Sequence, residues 1–145
     1  MNKNVEGGFL ISKIKQIQDR ALEKKLREQK RDFDNLNQSQ GRILCILWKT
    51  NGISITEIKE QTALSYSALT SLIDRLEHSE HIVRKPDGED RRKTLIFLTD
   101  KSLKLKTRYE KLVRDTFMAS YKDFSDDEIF QCENYLNRIY KNIQN

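Results

Sequence analysis

The chain has 145 residues, a formal net charge of +5, and 34% charged against 37% hydrophobic side chains. This length predicts one domain spanning residues 1–145, and the low count of five glycines and one proline argues against a turn-rich β fold and favours long helices. No apolar run approaches the length of about 18 residues that a membrane span needs, and residues 1–4 lead into an amphipathic segment without a signal-peptide core, so we expect a cytoplasmic protein with no membrane partner.

Long amphipathic helices are predicted at both ends of the chain. Apolar residues recur at helical spacing over residues 9–33, after a break at Gly7 and Gly8, and again over residues 101–144. The last apolar stripe continues to Ile143, and an apolar face so close to the end of a helix needs a partner. Because the chain is small for so many amphipathic helices, we expect the terminal helices to join two copies into a homodimer.

The middle of the chain carries the start signals of two shorter helices. Asn37 and Gln40 form a capping pair in front of an apolar segment, which predicts a second helix. Ser54 and Glu57 form a capping box, in which each side chain bonds to the other residue's backbone amide. A third helix is therefore expected directly after Ser54.

A fourth helix follows, with Ser65 as its N-cap. Its apolar stripe, which we expect to dock on the core, consists of Leu69, Leu72, Ile73 and Leu76. Its opposite face carries Tyr66, Ser67, Thr70, Ser71, Asp74 and Arg75. Short hydroxyl side chains suit the major groove of DNA because they donate and accept hydrogen bonds and let a helix approach closely. A plain solvated face is the alternative, although such a face is more often rich in Lys and Glu.

After the fourth helix, the apolar pattern changes to that of two strands. Residues 81–85 and 93–98 flank the turn sequence Pro-Asp-Gly-Glu, which predicts a hairpin. The basic side chains around its loop are Arg84, Lys85, Arg91, Arg92 and Lys93. An exposed guanidinium here can enter a narrow minor groove, and Asp90 is placed to pair with Arg92 and orient it. A solvated charged turn is the alternative, and the position directly after a groove-reading helix favours DNA.

The ten residues from Asp90 to Thr99 resemble the wing of the MarR family of bacterial transcriptional regulators, which reads D-x-R followed by a strand ending in L-T. Residues 64–77 look like that family's recognition helix, and residues 82–84 look like the strand that follows it. The resemblance implies a mainly α fold with a small β-hairpin. The implied fold is a winged helix-turn-helix with a DNA-binding core at about residues 54–99 and long N- and C-terminal dimerisation helices.

The same resemblance implies a function. Members of the family bind palindromic double-stranded operator DNA as homodimers, and many are repressors released by small anionic or phenolic effectors. By position, Arg92 would enter the minor groove with Asp90 as its orienting partner, and Arg75 would contact a phosphate or a base. The candidate DNA-binding residues are therefore Ser65, Tyr66, Ser67, Thr70, Ser71, Arg75, Arg84, Asp90, Arg91, Arg92 and Lys93.

Three positions depart from the family pattern, and one of them is Ser102, which stands where the family frequently has a glycine after the L-T. His81 stands where the family usually has a glycine in the left-handed conformation, so we expect backbone strain at this histidine. Lys59 stands where the family commonly has a small apolar residue, so we expect the packing of the third helix to be shifted.

Redox and metal sensing are the alternatives within this class of regulator. Cys45 and Cys132 lie on apolar stripes, where burial raises the pKa of a thiol and makes it inert. His78 and His81 stand three residues apart at a helix end, but alone they lack the further ordered ligands of a metal site. We therefore predict neither a metal nor a cofactor.

An enzyme is not predicted. The sequence has no Gly-rich phosphate loop, no HExxH or GxSxG motif, and no nucleophile with a base at recognisable spacing. We expect a small-molecule effector pocket between the first helix, the second helix and a fifth helix that begins at Thr99 and Asp100, near Trp48 and Tyr109. A winged helix used for protein contacts remains the other alternative, and the basic wing argues against it.

Overall fold

The computed structural model describes residues 6–144, which form six α-helices and a three-stranded antiparallel sheet. The helices are α1 (Gly7–Glu28), α2 (Gln38–Lys49), α3 (Ile55–Glu60), α4 (Tyr66–His78), α5 (Asp100–Met118) and α6 (Asp126–Ile143). The strands are β1 (Ile53–Ser54), β2 (Ile82–Pro86) and β3 (Thr94–Leu98). The predicted winged helix-turn-helix is confirmed: α3 and α4 are its two helices, and β2 and β3 are the wing. The residues 1–4 considered for a signal peptide lie outside the described residues.

The predicted helix starts are confirmed by their hydrogen bonds. Asn37 Oδ1 accepts from the amide of Gln40 at 2.8 Å, and the Gln40 side chain accepts from the amide of Asn37 at 3.0 Å. Ser54 and Glu57 make the same reciprocal pair at the start of α3. Each cap satisfies amides that the helix leaves unbonded and is worth about 1 kcal/mol.

The first helix differs from its predicted bounds at both ends. It begins at Gly7 rather than after the two glycines, because the first amides of a helix have no intrahelical partner and its first turn can include glycine. It ends at Glu28, not at residue 33, and the chain then turns through Asp34 and Asn35, whose φ angles are 50° and 57°. The amide of Asn35 donates to the Lys30 carbonyl at 2.7 Å, which closes this turn.

The sheet contains one strand more than the predicted hairpin. β2 and β3 pair antiparallel from Ile82 opposite Leu98 to Pro86 opposite Thr94, within one residue of the predicted strands. The two-residue strand β1 adds to the other edge of β3, where Ile53 lies opposite Ile96. This pairing joins the wing to the residues just before α3, so the wing and the helix-turn-helix form one unit.

The core holds α4, the second helix of the helix-turn-helix, in place. The predicted stripe of α4 is buried, with Leu69, Ile73 and Leu76 at 0% exposure. It packs with apolar residues of α2 and α3, among them Leu44 and Ile58. The burial of a Leu or Ile side chain is worth about 1.5–3 kcal/mol, so this stripe determines which face of α4 points outward.

The expectation of backbone strain at His81 was wrong. The left-handed residue after α4 is Glu80, with a φ of 62°, and His81 has no positive φ. The amide of Glu80 donates to the Glu77 carbonyl at 3.0 Å, and the amide of His81 donates to the Leu76 carbonyl at 2.9 Å. These two bonds are those of a Schellman motif. Its left-handed residue is Glu80, and the buried His81 is the next residue.

Candidate nucleic-acid interface

The face of α4 opposite its buried stripe is exposed, as predicted. Ser67, Thr70, Ser71 and Arg75 are all exposed, and their side chains alternate with the buried stripe at helical spacing. Ser65 is also exposed, but its hydroxyl oxygen accepts from the Ala68 amide at 3.2 Å. Ser65 therefore caps the helix, and the four residues along the helix form the exposed polar face.

Tyr66 at the start of α4 is held by two residues of α3. Its phenol oxygen lies 2.8 Å from the hydroxyl of Thr56, and the ammonium of Lys59 lies 5.6 Å from the centre of its ring. Tyr66 is still 48% exposed, so this small cluster lies at the surface. The sequence prediction did not include Thr56 or Lys59 in the site. The departure of Lys59 from the family pattern was the available signal.

The wing loop presents Arg92 to solvent in a defined orientation. Its side chain is 94% exposed, and its Nε lies 3.3 Å from Asp90 Oδ1. The same carboxylate oxygen accepts from the backbone amide of Arg92 at 3.0 Å. The structure thus brings Asp90 and Arg92 together as the sequence suggested. Arg91 and Lys93 on either side are also exposed.

Arg84, on the first strand of the wing, forms two ion pairs with carboxylates of α4. Its Nη1 lies 2.6 Å from Glu77 Oε1, and its Nη2 lies 2.6 Å from Asp74 Oδ1. Its backbone amide also donates to the Glu77 carboxylate at 3.2 Å. The pKa of Arg84 is raised, mainly by the hydrogen bond to Asp74. Arg84 therefore links the recognition helix to β2.

A separate cluster around the buried His81 lies where α4 ends and the wing begins. The Nδ1 of His81, which is 0% exposed, lies 3.2 Å from the hydroxyl of Ser102, and that hydroxyl donates to the His81 carbonyl. The His81 Nε2 lies 2.8 Å from Asp34 Oδ2, and the Lys101 ammonium lies 2.6 Å from the same oxygen. The pKa of His81 is lowered, chiefly by burial and then by the Lys101 charge, while Asp34 opposes the shift.

The redox and metal alternatives concern the cysteines and the possible metal ligands. Cys45 is partly buried, and burial, followed by the Glu110 charge, raises the pKa of its thiol to about 11. Across residues 6–144, no group of three or more His, Cys, Asp or Glu side chains is arranged to hold a metal ion.

The same residues include no helix that is both long and apolar enough to span a bilayer.

The expected effector position is filled by core side chains. The rings of Trp48 and Tyr109 pack 5.6 Å apart, and Tyr109 is 1% exposed. An open cleft of about 380 Å³ lies beside them, between the turn that follows α1 and the middle of α5. Phe33 and Arg108 are among the residues that line it.

The terminal helices leave large apolar surfaces uncovered. No residue of α6 is buried, and its stripe residues Leu136, Ile139 and Ile143 are 44%, 45% and 74% exposed. The first half of α1 exposes Leu10, Ile14 and Ile17 in the same way. Contiguous apolar surface of this kind on a chain rich in charge is typical of a protein–protein interface.

Comparison with known proteins agrees with the winged helix-turn-helix. The model of the MarR family matches residues 36–94. The HTH-type transcriptional regulator TtmR of Methylorubrum extorquens is 40% identical over 75 residues, which are 52% of this chain and 38% of that protein. The HTH-type transcriptional repressor IacR of Pseudomonas putida is 24% identical over 110 residues, which are 76% of this chain and 66% of that protein. The chain thus spans less than two thirds of each of these relatives.

Among solved structures, the similarity extends over almost the whole chain. A mutant of MarR from E. coli complexed with operator DNA has a TM-score of 0.80 and 26% sequence identity. The match covers 95% of this chain and 96% of that chain. The terminal helices therefore belong to the shared fold together with the DNA-binding core.

Proposed function

The chain belongs to the MarR family, and we propose that it is a ligand-responsive transcriptional repressor that binds a palindromic operator as a homodimer in the cytoplasm. One observation carries the proposal: the polar face of α4 and the exposed Arg92 lie on one unit whose orientation is set by the core and the shared sheet. A helix and a wing held in this way can contact the major groove and the neighbouring minor groove together.

In this proposal, the residues of α4 read the operator. Ser67, Thr70 and Ser71 hydrogen-bond to base edges in the major groove, since hydroxyl groups accept from and donate to any base. Arg75 contacts a base or a phosphate. Arg92 enters the minor groove, where the negative potential is strongest.

The homodimer is proposed from the uncovered terminal helices. If the exposed stripes of α1 and α6 pack against those of a second copy, their apolar area is removed from water. Each Å² of buried apolar area stabilises the dimer by about 25 cal/mol. A two-fold axis between the copies would then place two α4 helices about 34–36 Å apart, one turn of DNA.

For the effector, we propose the cleft between the turn after α1 and α5. It places the cations of Arg108 and Lys111 beside the apolar side chains of Phe33 and Leu112, which suits a small anionic or phenolic molecule. The carboxylates of Asp32 and Asp115 line the same cleft. The Lys111 ammonium lies 2.5 Å from Asp115 Oδ2, so a bound anion would have to compete with this carboxylate.

The decisive test is selection of bound duplexes from a randomised DNA library. We expect an inverted repeat whose half-sites are about 10–10.5 base pairs apart. Binding to the selected duplex should weaken steeply between 50 and 200 mM salt, by about 10³–10⁵-fold if 6–10 phosphates are contacted. Failure to enrich any repeat, or affinity insensitive to salt, would exclude the proposed function.

A further inference from the structure

The surface between α3 and the start of α4 carries a side-chain cluster that the predicted site does not contain. Lys59 of α3 places its ammonium over the ring of Tyr66, at 5.6 Å from the ring centre. The phenol oxygen of Tyr66 is 2.8 Å from the Thr56 hydroxyl, one turn earlier on α3. Tyr66 is thus fixed at its ring and at its hydroxyl, both by α3.

The Lys59 side chain does not enter the core, and the shift expected in the packing of α3 stays a prediction. Ile58 next to it is 0% exposed and anchors α3, while the Lys59 side chain is only partly buried. A lysine can lay its methylene stem along apolar surface and keep its charge in water. The ring of Tyr66 supplies that surface together with a cation–π contact to the ammonium.

The positive charge of Lys59 is not neutralised by a partner. Among residues 6–144, Lys59 forms no ion pair. The carboxylate of Glu57 nearby is engaged at the helix start, where it accepts from the Ser54 amide at 2.7 Å. Glu60 is adjacent in sequence, and neighbours at i and i+1 on a helix do not face each other. A partially oriented ammonium is therefore available at this surface.

We propose that Lys59 binds a DNA phosphate and that Tyr66 and Thr56 hold it in position, an inference that rests on the proposed function. The first helix of a helix-turn-helix crosses the DNA backbone while the second enters the groove. Lys59 stands on that first helix, at its contact with the start of α4. An ammonium makes a phosphate contact without reading sequence. In this arrangement Tyr66 is a positioning residue, and base reading belongs to the residues that follow it on α4.

The test is the dependence of DNA affinity on salt for Lys59→Ala and a matched control. Each phosphate contact contributes about 0.9 to the slope of log K against log salt. We expect Lys59→Ala to lower the slope by about that amount and to weaken binding equally for the selected operator and for a mutated operator. Lys24→Ala removes the same charge from an exposed position on α1 and should leave the slope unchanged. Lys59→Arg keeps the positive charge and should have the same slope as the unsubstituted protein.

The role of Tyr66 is tested by a double-mutant cycle. Tyr66→Leu removes the ring, so Lys59→Ala should cost less affinity in that background than in the original chain. Additive losses would overturn the positioning role. A slope for Lys59→Ala equal to that of the original chain would overturn the phosphate contact while leaving the proposed function intact. An original chain that shows no salt-dependent binding would overturn both. Thermal unfolding of each variant shows that the fold is retained.

Discussion

The guanidinium of Arg84, on the first strand of the wing, lies 2.6 Å from the carboxylate of Asp74 on the recognition helix. A second ion pair at 2.6 Å joins Arg84 to Glu77, one turn further along that helix. The DNA contact predicted for Arg84 stays a prediction, and in the structure its cation is shared between two carboxylates of its own chain. We infer that it sets the angle between the helix and the wing, so that both can reach adjacent grooves.

Arg84→Ala should therefore weaken DNA binding without changing its salt slope. The two ion pairs are partly exposed, so their loss should lower the free energy of unfolding by about 1 kcal/mol or less. Lys85→Ala removes a positive charge at the next residue of the same strand and is the control for the loss of charge alone. The measurements are denaturant unfolding and affinity at several salt concentrations. A fall in slope of about one for Arg84→Ala would identify a direct phosphate contact instead.

Arg92→Ala should reduce operator affinity strongly and leave stability unchanged. The side chain is 94% exposed, so its removal costs no packing. Loss of one specific arginine contact costs about 1–3 kcal/mol, which is about 5–150-fold in affinity. Arg92→Lys keeps the charge but loses the planar fork of the guanidinium. Its operator affinity should therefore lie between that of the unsubstituted protein and that of Arg92→Ala. Affinity unchanged in Arg92→Ala would remove the minor-groove role.

Stability should fall on mild acidification because of His81. Burial and the Lys101 charge hold the pKa of His81 below its usual value of 6.5, so the unfolded chain binds this proton more readily than the folded chain. The stabilisation is complete above pH 6.5 and is lost as the pH falls below it. Urea unfolding at pH 7.5, 6.5 and 5.5 measures the loss. His81→Gln should flatten this profile, whereas His78→Gln, at the exposed histidine, should not. An unaltered profile in His81→Gln would refute the assignment.

Gly41→Ala should destabilise the protein. A Cβ at this position of α2 would overlap the hydroxyl and ring of Tyr109, which is 1% exposed and packed edge-on against Phe33. Overpacking costs about 1–3 kcal/mol or more, and the better helix propensity of alanine returns only about 1 kcal/mol. We expect a lower unfolding temperature. Gly88→Ala is the control, since no atom lies within 4 Å of its added Cβ. Equal unfolding temperatures for the two variants would contradict this packing.

Leu136→Asp should convert the proposed homodimer to a monomer. A charge placed in an apolar interface loses its hydration, and the cost exceeds what the remaining contacts supply. Sedimentation at micromolar concentration distinguishes the two states. Phe130→Asp is the control, because Phe130 is exposed on another side of α6, about a third of a turn from Leu136. A monomeric original chain would exclude the homodimer.

The local features of the fold were predictable from sequence because their physical causes are local. The capping boxes at Asn37 and Ser54 involve residues three positions apart, and the stripe of α4 follows the helical period. The hairpin follows from the change to strand-like residues around a turn. The pairing of Asp90 with Arg92 spans two residues and was anticipated for the same reason.

Only the tertiary structure determined which side chains remain free to act. Arg84 meets Asp74, and Tyr66 meets Thr56, each across ten residues of chain, because the core fixes α3, α4 and the wing relative to one another. No periodicity predicts such contacts. Strand β1 forms only because β3 offers it an edge. By itself, the sequence determined that this chain carries a winged helix-turn-helix with basic residues on its wing. The packing decided that Arg84 is bound within the chain, whereas Arg92 points into solvent and Lys59 lies at the surface over Tyr66.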